Sequence, residues 1–376
     1  MLSLLLLSGT LMCACGGGSS DSGNPPAIRT ATPAITTTPA QNGAVIVTLA
    51  DSTSGAMIYY TTDGTAPSKS SQLYEASFLV ASNLTVNAMA SAPPSLDSTV
   101  ATQAFTPNIA SGTPVWSDEF SNSGSSNTQP STSVWTYDTG TNCCGNNELE
   151  TYCAWGSASG PCDPNHPNAY VGSDGYLHVV ALKPSAGVFT SARLKSEGLF
   201  SFQYGRIEAR LKLPESQGMW PAFWLLGNNI KTIEWPACGE IDVMEHIDGA
   251  NPPPYQGAAP PGYDWVAGSV HGGTSANKAD GTEHYHADGF SAAGWHTYGM
   301  IWSKGEIQFY VDNPSNIYAT FKSTDAQFSG GRWPFDQGPE FIILNLAVGG
   351  DWPGSPDATT VFPGEMSVDY VRIYTN

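Results

Sequence analysis

Between Trp235 and His246 the chain reads WPACGEIDVMEH, and three of these residues, Glu240, Asp242 and Glu245, are carboxylic acids in what otherwise has the alternation of a β-strand. Ile241 and Val243 take core positions, which places Glu240 and Asp242 together on the opposite face. The next position on that face belongs to Met244, so the third acid arrives one residue late. A β-bulge repairs the mismatch, because one extra residue lets all three acids point to one side, and bulges are frequent beside active sites. Acids crowded in this way repel one another and lift at least one pKa, which suits proton transfer and burdens a scaffold. By itself the spacing is a weak motif, since it also fits a solvated strand face.

Holding three acids on a common face requires a broad sheet, and the remaining sequence supplies its strands. Beyond residue 114 the segments 198–204, 206–213, 295–302, 306–312, 341–348 and 366–374 alternate or run apolar, and long helical patterns are scarce. The reading is all-β: two packed antiparallel sheets in a jelly-roll β-sandwich, one face concave and forming a substrate cleft. With 40 glycines, 28 prolines and only 12% charged residues, the composition fits a turn-rich β protein. A net charge of -19 argues against nucleic acid or an anionic membrane as partner, both of which it repels, and leaves a neutral polysaccharide indifferent. Tryptophans beside short acids suit sugars, whose C–H faces stack on aromatics while their hydroxyls seek polar groups.

Residues 1–15, MLSLLLLSGTLMCAC, form an apolar run too short to span a bilayer and read as an export signal. The run resembles a bacterial lipoprotein signal with Cys15 as the acylated residue, Cys13 or plain secretion remaining open, and 16–27 is a flexible tether. The expectation is an exported protein, on the cell surface or secreted, that meets a membrane only through such an anchor. Export permits disulfides, and Cys153 and Cys162, which bracket a Gly/Ser/Pro-rich loop, are the expected pair. Spacing does not assign Cys143, Cys144 and Cys238, although one of the adjacent two is a candidate partner for Cys238. Residues 28–107 carry short strands at 44–49, 57–61, 84–88 and 99–105 with Asp63-Gly64 as a turn, which predicts a small immunoglobulin-like sandwich. Residues 108–114 read as a linker and 115–376 as the domain holding the acids.

The run from Tyr59 to Ser68, YYTTDGTAPS, with Thr85-Val86-Asn87-Ala88 after it, resembles the accessory domain at the ends of chitobiases and other secreted glycosidases. It is read as a spacer first and a glycan-binding module second. In the larger domain the blocks WSDEF from Trp116, NNELETY from Asn146, YGRIEAR from Tyr204, GMWPAFWLLG from Gly218, the acid run, LNLAVGG from Leu344 and VDYVRIY from Val368 follow in order. Together they resemble the signature blocks of family 16 of the glycoside hydrolases and, within it, the laminarinase branch of endo-β-1,3-glucanases.

That resemblance implies a retaining double displacement on laminarin-like β-1,3-glucan, by a monomer that needs no cofactor for its chemistry. Glu240 would attack the anomeric carbon, and Glu245 would protonate the leaving oxygen and then deprotonate water. Asp242 would sustain the pKa of Glu245 and orient Glu240. Trp220, Trp224 and Trp235 correspond to sugar-stacking residues, His271 to a histidine beside the acid/base, Arg193 and Asn147 to polar cleft positions, and Asn345 to buried support. Glu119, Gly175 and Asp369 match places where many members hold a structural calcium ion. Two other outcomes stay open: the same fold cutting mixed-linkage glucan, agarose or carrageenan, and a glucan-binding protein that has lost hydrolysis. The presence of all three acids weighs against the latter, and the extra residue of the motif weighs against the mixed-linkage branch.

Overall fold

The structure, a computed structural model, describes residues 28–141, 145–248 and 264–376. The export signal with Cys15, the tether, Cys143 and Cys144 therefore lie outside the described residues. Within them the chain forms β-strands and two short 3-10 turns, as the alternating patterns predict.

The sheet that carries the acids has seven antiparallel strands, labelled in chain order β1 (Thr136–Asp138), β2 (Arg193–Lys195), β3 (Met219–Gly227), β4 (Glu240–Glu245), β5 (Val266–Thr274), β6 (Asn277–Tyr285) and β7 (Glu340–Val348). Their spatial order is β6-β5-β4-β3-β7-β2-β1, so β4 lies near the middle. Its inner face packs on an eleven-stranded sheet in which Gly364–Tyr374 runs between Gly205–Lys212 and Leu177–Ser185. Phe223 and Leu225 of β3, Ile241 and Val243 of β4 and Leu344 and Leu346 of β7 join Ile207, Met300, Trp302 and Val368 in one core. Burying each such side chain contributes roughly 1.5–3 kcal/mol. On the outer face Ala222, Trp224, Phe341 and Ile343 form a separate cluster. The outer face is therefore mixed, with this small apolar cluster beside the acids.

The apolar run 198–204 is not a strand. Ser201 and Phe202 make single bridges, to Phe78 and Glu340, while Phe200 stacks on Trp116 at 4.5 Å and Phe202 meets Trp302 edge-on at 5.7 Å. The pattern marks anchoring side chains on a crossing segment, which periodicity does not distinguish from a ladder.

The accessory domain has a three-stranded sheet (Ala34–Pro39, Val45–Ala50, Phe78–Val80) over a four-stranded one (Met57–Thr61, Gln72–Leu73, Leu84–Ser91, Ala101–Phe105) around its own core. It is docked rather than tethered. The amide of Leu79 donates to Ser201 O and that of Ser201 to Ser77 O, each at 3.0 Å, Gln41 Nε2 donates to Ser117 Oγ at 2.8 Å, and Ala44 and Leu79 enter the large core. The linker ends earlier than expected, because Pro114 already begins the strand Pro114–Asp118, and the Thr113 carbonyl accepts the Thr375 amide at 3.0 Å.

Cys153 and Cys162 form the expected disulfide, with Cα atoms 5.7 Å apart. Among the described residues Cys238 is a buried free thiol. It follows Gly227 closely: an ideal Cβ on Gly227 would lie 2.0 Å from the Cys238 carbonyl oxygen, and the Gly227 amide donates to Gly239 O at 3.0 Å. Only glycine lets the end of β3 approach the entry to β4. Gly227→Ala should destabilise the protein by about 1–3 kcal/mol; a denaturant midpoint equal to that of the parent would contradict this contact.

Candidate active site

The bulge lies where the alternation requires it. Along β3, Trp224 is opposite Asp242 and Phe223 opposite Met244, leaving Val243 without a counterpart. On the other edge, β5 places Ser269 against Asp242 and Ala267 against Glu245. Val243 and Met244 are both buried in the core beside Ile241, at 2%, 0% and 0% exposure. Two consecutive inward side chains return Glu245 to the outer face with Glu240 and Asp242.

Each acid has a different surrounding. Glu245 accepts a hydrogen bond from Trp220 Nε1 at 2.9 Å. Asp242 is buried, its Oδ2 3.2 Å from His271 Nε2, and His271 Nδ1 lies 2.9 Å from Asp280 Oδ1. Glu240 stands opposite His271 across the β4–β5 ladder. Burial and the neighbouring Asp242 push the Glu240 carboxyl up to about 8, while His271 and Arg193 pull it back toward the anion. Burial, with Asp242 second, holds Glu245 well above the carboxylate range. For His271 burial disfavours the charge, yet the hydrogen bonds to Asp242 and Asp280 outweigh it and keep the imidazolium. The face thus holds fewer charges than titratable groups, and its protons are shared.

The other expected residues separate into distinct settings. Trp235 is exposed at 36%, its ring 6.1 Å from His271 and covered on one side by Lys278 Nζ at 4.2 Å. Trp220 is half-buried and meets Trp352 edge-on at 5.3 Å. Trp224 is different: it is buried, Arg193 lies over its ring at 4.5 Å, and its Nε1 donates to Asn345 Oδ1 at 2.7 Å. It supports the floor instead of offering a free ring to a sugar. Arg193 is fixed by Asp138 at 2.9 Å. Asn345 continues the network through its Nδ2 to Tyr152 OH at 3.3 Å, which donates to Glu148 Oε2 at 3.0 Å. Asn147, in a left-handed backbone, holds both oxygens of Asp351 at 3.0 Å and is exposed at the rim. His271, expected beside the acid/base, is placed by register against Glu240 and acts on Asp242.

Several further residues join the site. Trp352 and Trp265, with ring centroids 6.0 Å apart, extend the aromatic wall from Trp220. Trp352 stands two residues beyond Gly350, the end of the LNLAVGG block, so its position is legible. That of Asp280 is not, because only the β5–β6 register sets it against His271. Glu150, pushed up to about 8 by burial and then by Glu148, accepts the Val348 amide at 2.7 Å.

The positions expected to hold calcium, largely through backbone carbonyls plus the Asp369 carboxylate, carry side-chain contacts of their own. Both oxygens of Glu119 are taken by Arg372, at 2.9 and 2.7 Å, and Asp369 Oδ2 lies 2.7 Å from Arg210 Nη1, while Gly175 sits in a tight turn with φ 82. A calcium ion held through the Glu119 and Gly175 carbonyls would share the Asp369 carboxylate with Arg210. Glu240, Asp242 and His271 bring one ligand atom each within 4.8 Å, but both His271 nitrogens already face carboxylates.

Comparison with known proteins gives the arrangement a context. The sequence pattern of the glycosyl hydrolases family 16 matches residues 165–372, and that of the chitobiase/beta-hexosaminidase C-terminal domain matches residues 38–102. A beta-glucanase of Rhodothermus marinus is 36% identical over 271 residues, covering 69% of this chain and 84% of that protein. The laminarinase catalytic domain of Thermotoga maritima superimposes with a TM-score of 0.57 at 33% identity, over 71% of this chain and 99% of that one. The endo-beta-1,3-glucanase of Pyrococcus furiosus does so with a TM-score of 0.56 at 36% identity, over 70% and 94%.

The raised Glu240 pKa has a stability consequence. Its folded value of about 8 exceeds the unfolded value of 4.5, so the folded chain binds the proton more tightly. The contribution of this group is fully present below the unfolded pKa and is lost as pH rises through the folded one. Glu240→Gln, neutral at every pH, should melt at the parent's temperature near pH 4.5 and higher at pH 9, by on the order of 4 °C. A gap that is constant across this window would refute the shared-proton description.

Proposed function

The chain belongs to family 16 of the glycosyl hydrolases and is a glycosidase; we propose that it is a retaining endo-β-1,3-glucanase acting on laminarin-like polymers. One observation carries the reading: the bulge of β4 sets Glu240, Asp242 and Glu245 on the same outer face, with different partners for the two glutamates. Glu240, set against His271 across the β4–β5 ladder and attacking as its carboxylate, is the nucleophile. Glu245, kept protonated by burial and Asp242 and steered by Trp220 Nε1–H, is the general acid.

In the first step Glu240 attacks the anomeric carbon as Glu245 transfers its proton to the leaving glycosidic oxygen. Glu245, now a carboxylate, takes a proton from water in the second step, and the water oxygen displaces Glu240, so two inversions give net retention. Asp242 keeps the pair electrostatically coupled and is steadied by the His271–Asp280 relay. Trp235 on one side, and Trp220 with Trp352 on the other, offer aromatic surface to sugar rings. The β-1,3 preference is supported by the bulged motif and by the relatives named beta-glucanase and laminarinase.

Export is proposed on the apolar residues 1–15 and is supported by the Cys153–Cys162 disulfide, a bond that persists in oxidising compartments. The mature protein should partition with membranes through lipid on Cys15; a soluble product cleaved elsewhere would contradict that anchor. For the activity, reducing-sugar release should be greatest on laminarin when compared with lichenan, agarose and carrageenan. Glu245→Gln should lower kcat by about 10²–10⁴-fold. Turnover unchanged in this variant, or product of inverted configuration by NMR, would overturn the assignment.

A further inference from the structure

Between the accessory and catalytic domains lies a cleft of about 910 Å³, in the size range of ligand sites. Half-buried tyrosines line it from both domains, Tyr59 from the accessory sheet and Tyr204 from the catalytic one, beside Thr61, Thr62, Thr232 and Ile233. Most of its charges are already matched. Lys69 pairs with Asp97 at 3.0 Å, and Asp63 accepts the Thr65 hydroxyl at 2.6 Å and the Thr65 amide at 3.0 Å, bonds that hold its pKa down ahead of the weaker pull of Lys304. Asp336 accepts from Tyr204 OH at 3.3 Å and from the Gly305 amide at 2.9 Å. What is left to meet a ligand is aromatic faces, hydroxyls and amides, the surface that recognises a neutral sugar chain and offers little to an ion.

Two features tie the cleft to the rest of the molecule. The domains touch closely at its edge, where an ideal Cβ on Gly338 would lie 2.5 Å from Gln72 Oε1, so the walls are held in register. One loop also serves both sites: Asn229, Thr232 and Ile233 line the cleft, and the same segment continues to Trp235 and Glu240. We propose that this interdomain cleft is a second binding site for a neutral β-glycan chain, gripping polymer away from the acids. That the chain is the enzyme's own substrate rests on the activity proposed above; the site itself does not.

The test uses the full chain and two variants outside the catalytic face, Tyr59→Ala, which removes a ring, and Ser70→Trp, which fills the cleft. Electrophoresis in gels containing laminarin, lichenan or agarose, run with Glu245→Gln added to the parent and to both variants so that the polymer stays intact, measures binding. Both variants should bind the polymer about threefold to tenfold more weakly, with kcat/KM on laminaritriose unchanged. Equal retardation of parent and variants in every gel would overturn the proposal, as would a matching loss on the trisaccharide, which would make the residues structural. Failure of the parent to hydrolyse laminarin would sink the activity alone, since the gel comparison still decides the cleft.

Discussion

The constraint on which everything else depends is electrostatic: three carboxylates within six residues of one strand, held on one face of a buried sheet. Left alone, such a group would be neutral and inert. Here it is balanced from three directions, by His271 backed by Asp280, by Arg193 backed by Asp138, and by the indole N–H of Trp220. Each balancing group comes from a different strand, β5, β2 and β3, so the charge distribution depends on strand register across most of the sheet. Fixed partners of this kind lower the reorganisation required when charge moves in a reaction.

The support behind those partners is as ordered as the partners themselves. Arg193 lies on Trp224, Trp224 donates to Asn345, and Asn345 reaches Tyr152 and Glu148. This buried chain of polar contacts runs beneath the cleft floor and satisfies groups that would otherwise be costly to bury. It explains why a tryptophan expected to stack on sugar is instead covered.

Much of this was legible in the sequence, for identifiable reasons. The acids declare the bulge because the alternation of Ile241, Val243 and Met244 fails by one residue, and the apolar runs declare the strands. Legibility stops where register or long-range pairing decides. Asp280 is nine residues beyond His271 and is brought to it by a hairpin. The arginine partners of Glu119 and Asp369 are 253 and 159 residues away, and no local pattern announces them. The segment 198–204 has a strand's alternation but spends it on anchoring Phe200 and Phe202, and with them the accessory domain, to the core.

The bulge also bears on how such a strand changes length over generations. Because Val243 and Met244 both point inward, losing either would restore simple alternation and still leave the last acid facing out. A single-codon deletion at this place therefore conserves the facing of the reactive groups, whereas the same event between Glu240 and Asp242 would invert it. The kink is a tolerance joint, the one location in the strand where the lineage is free to shorten the chain and keep its chemistry.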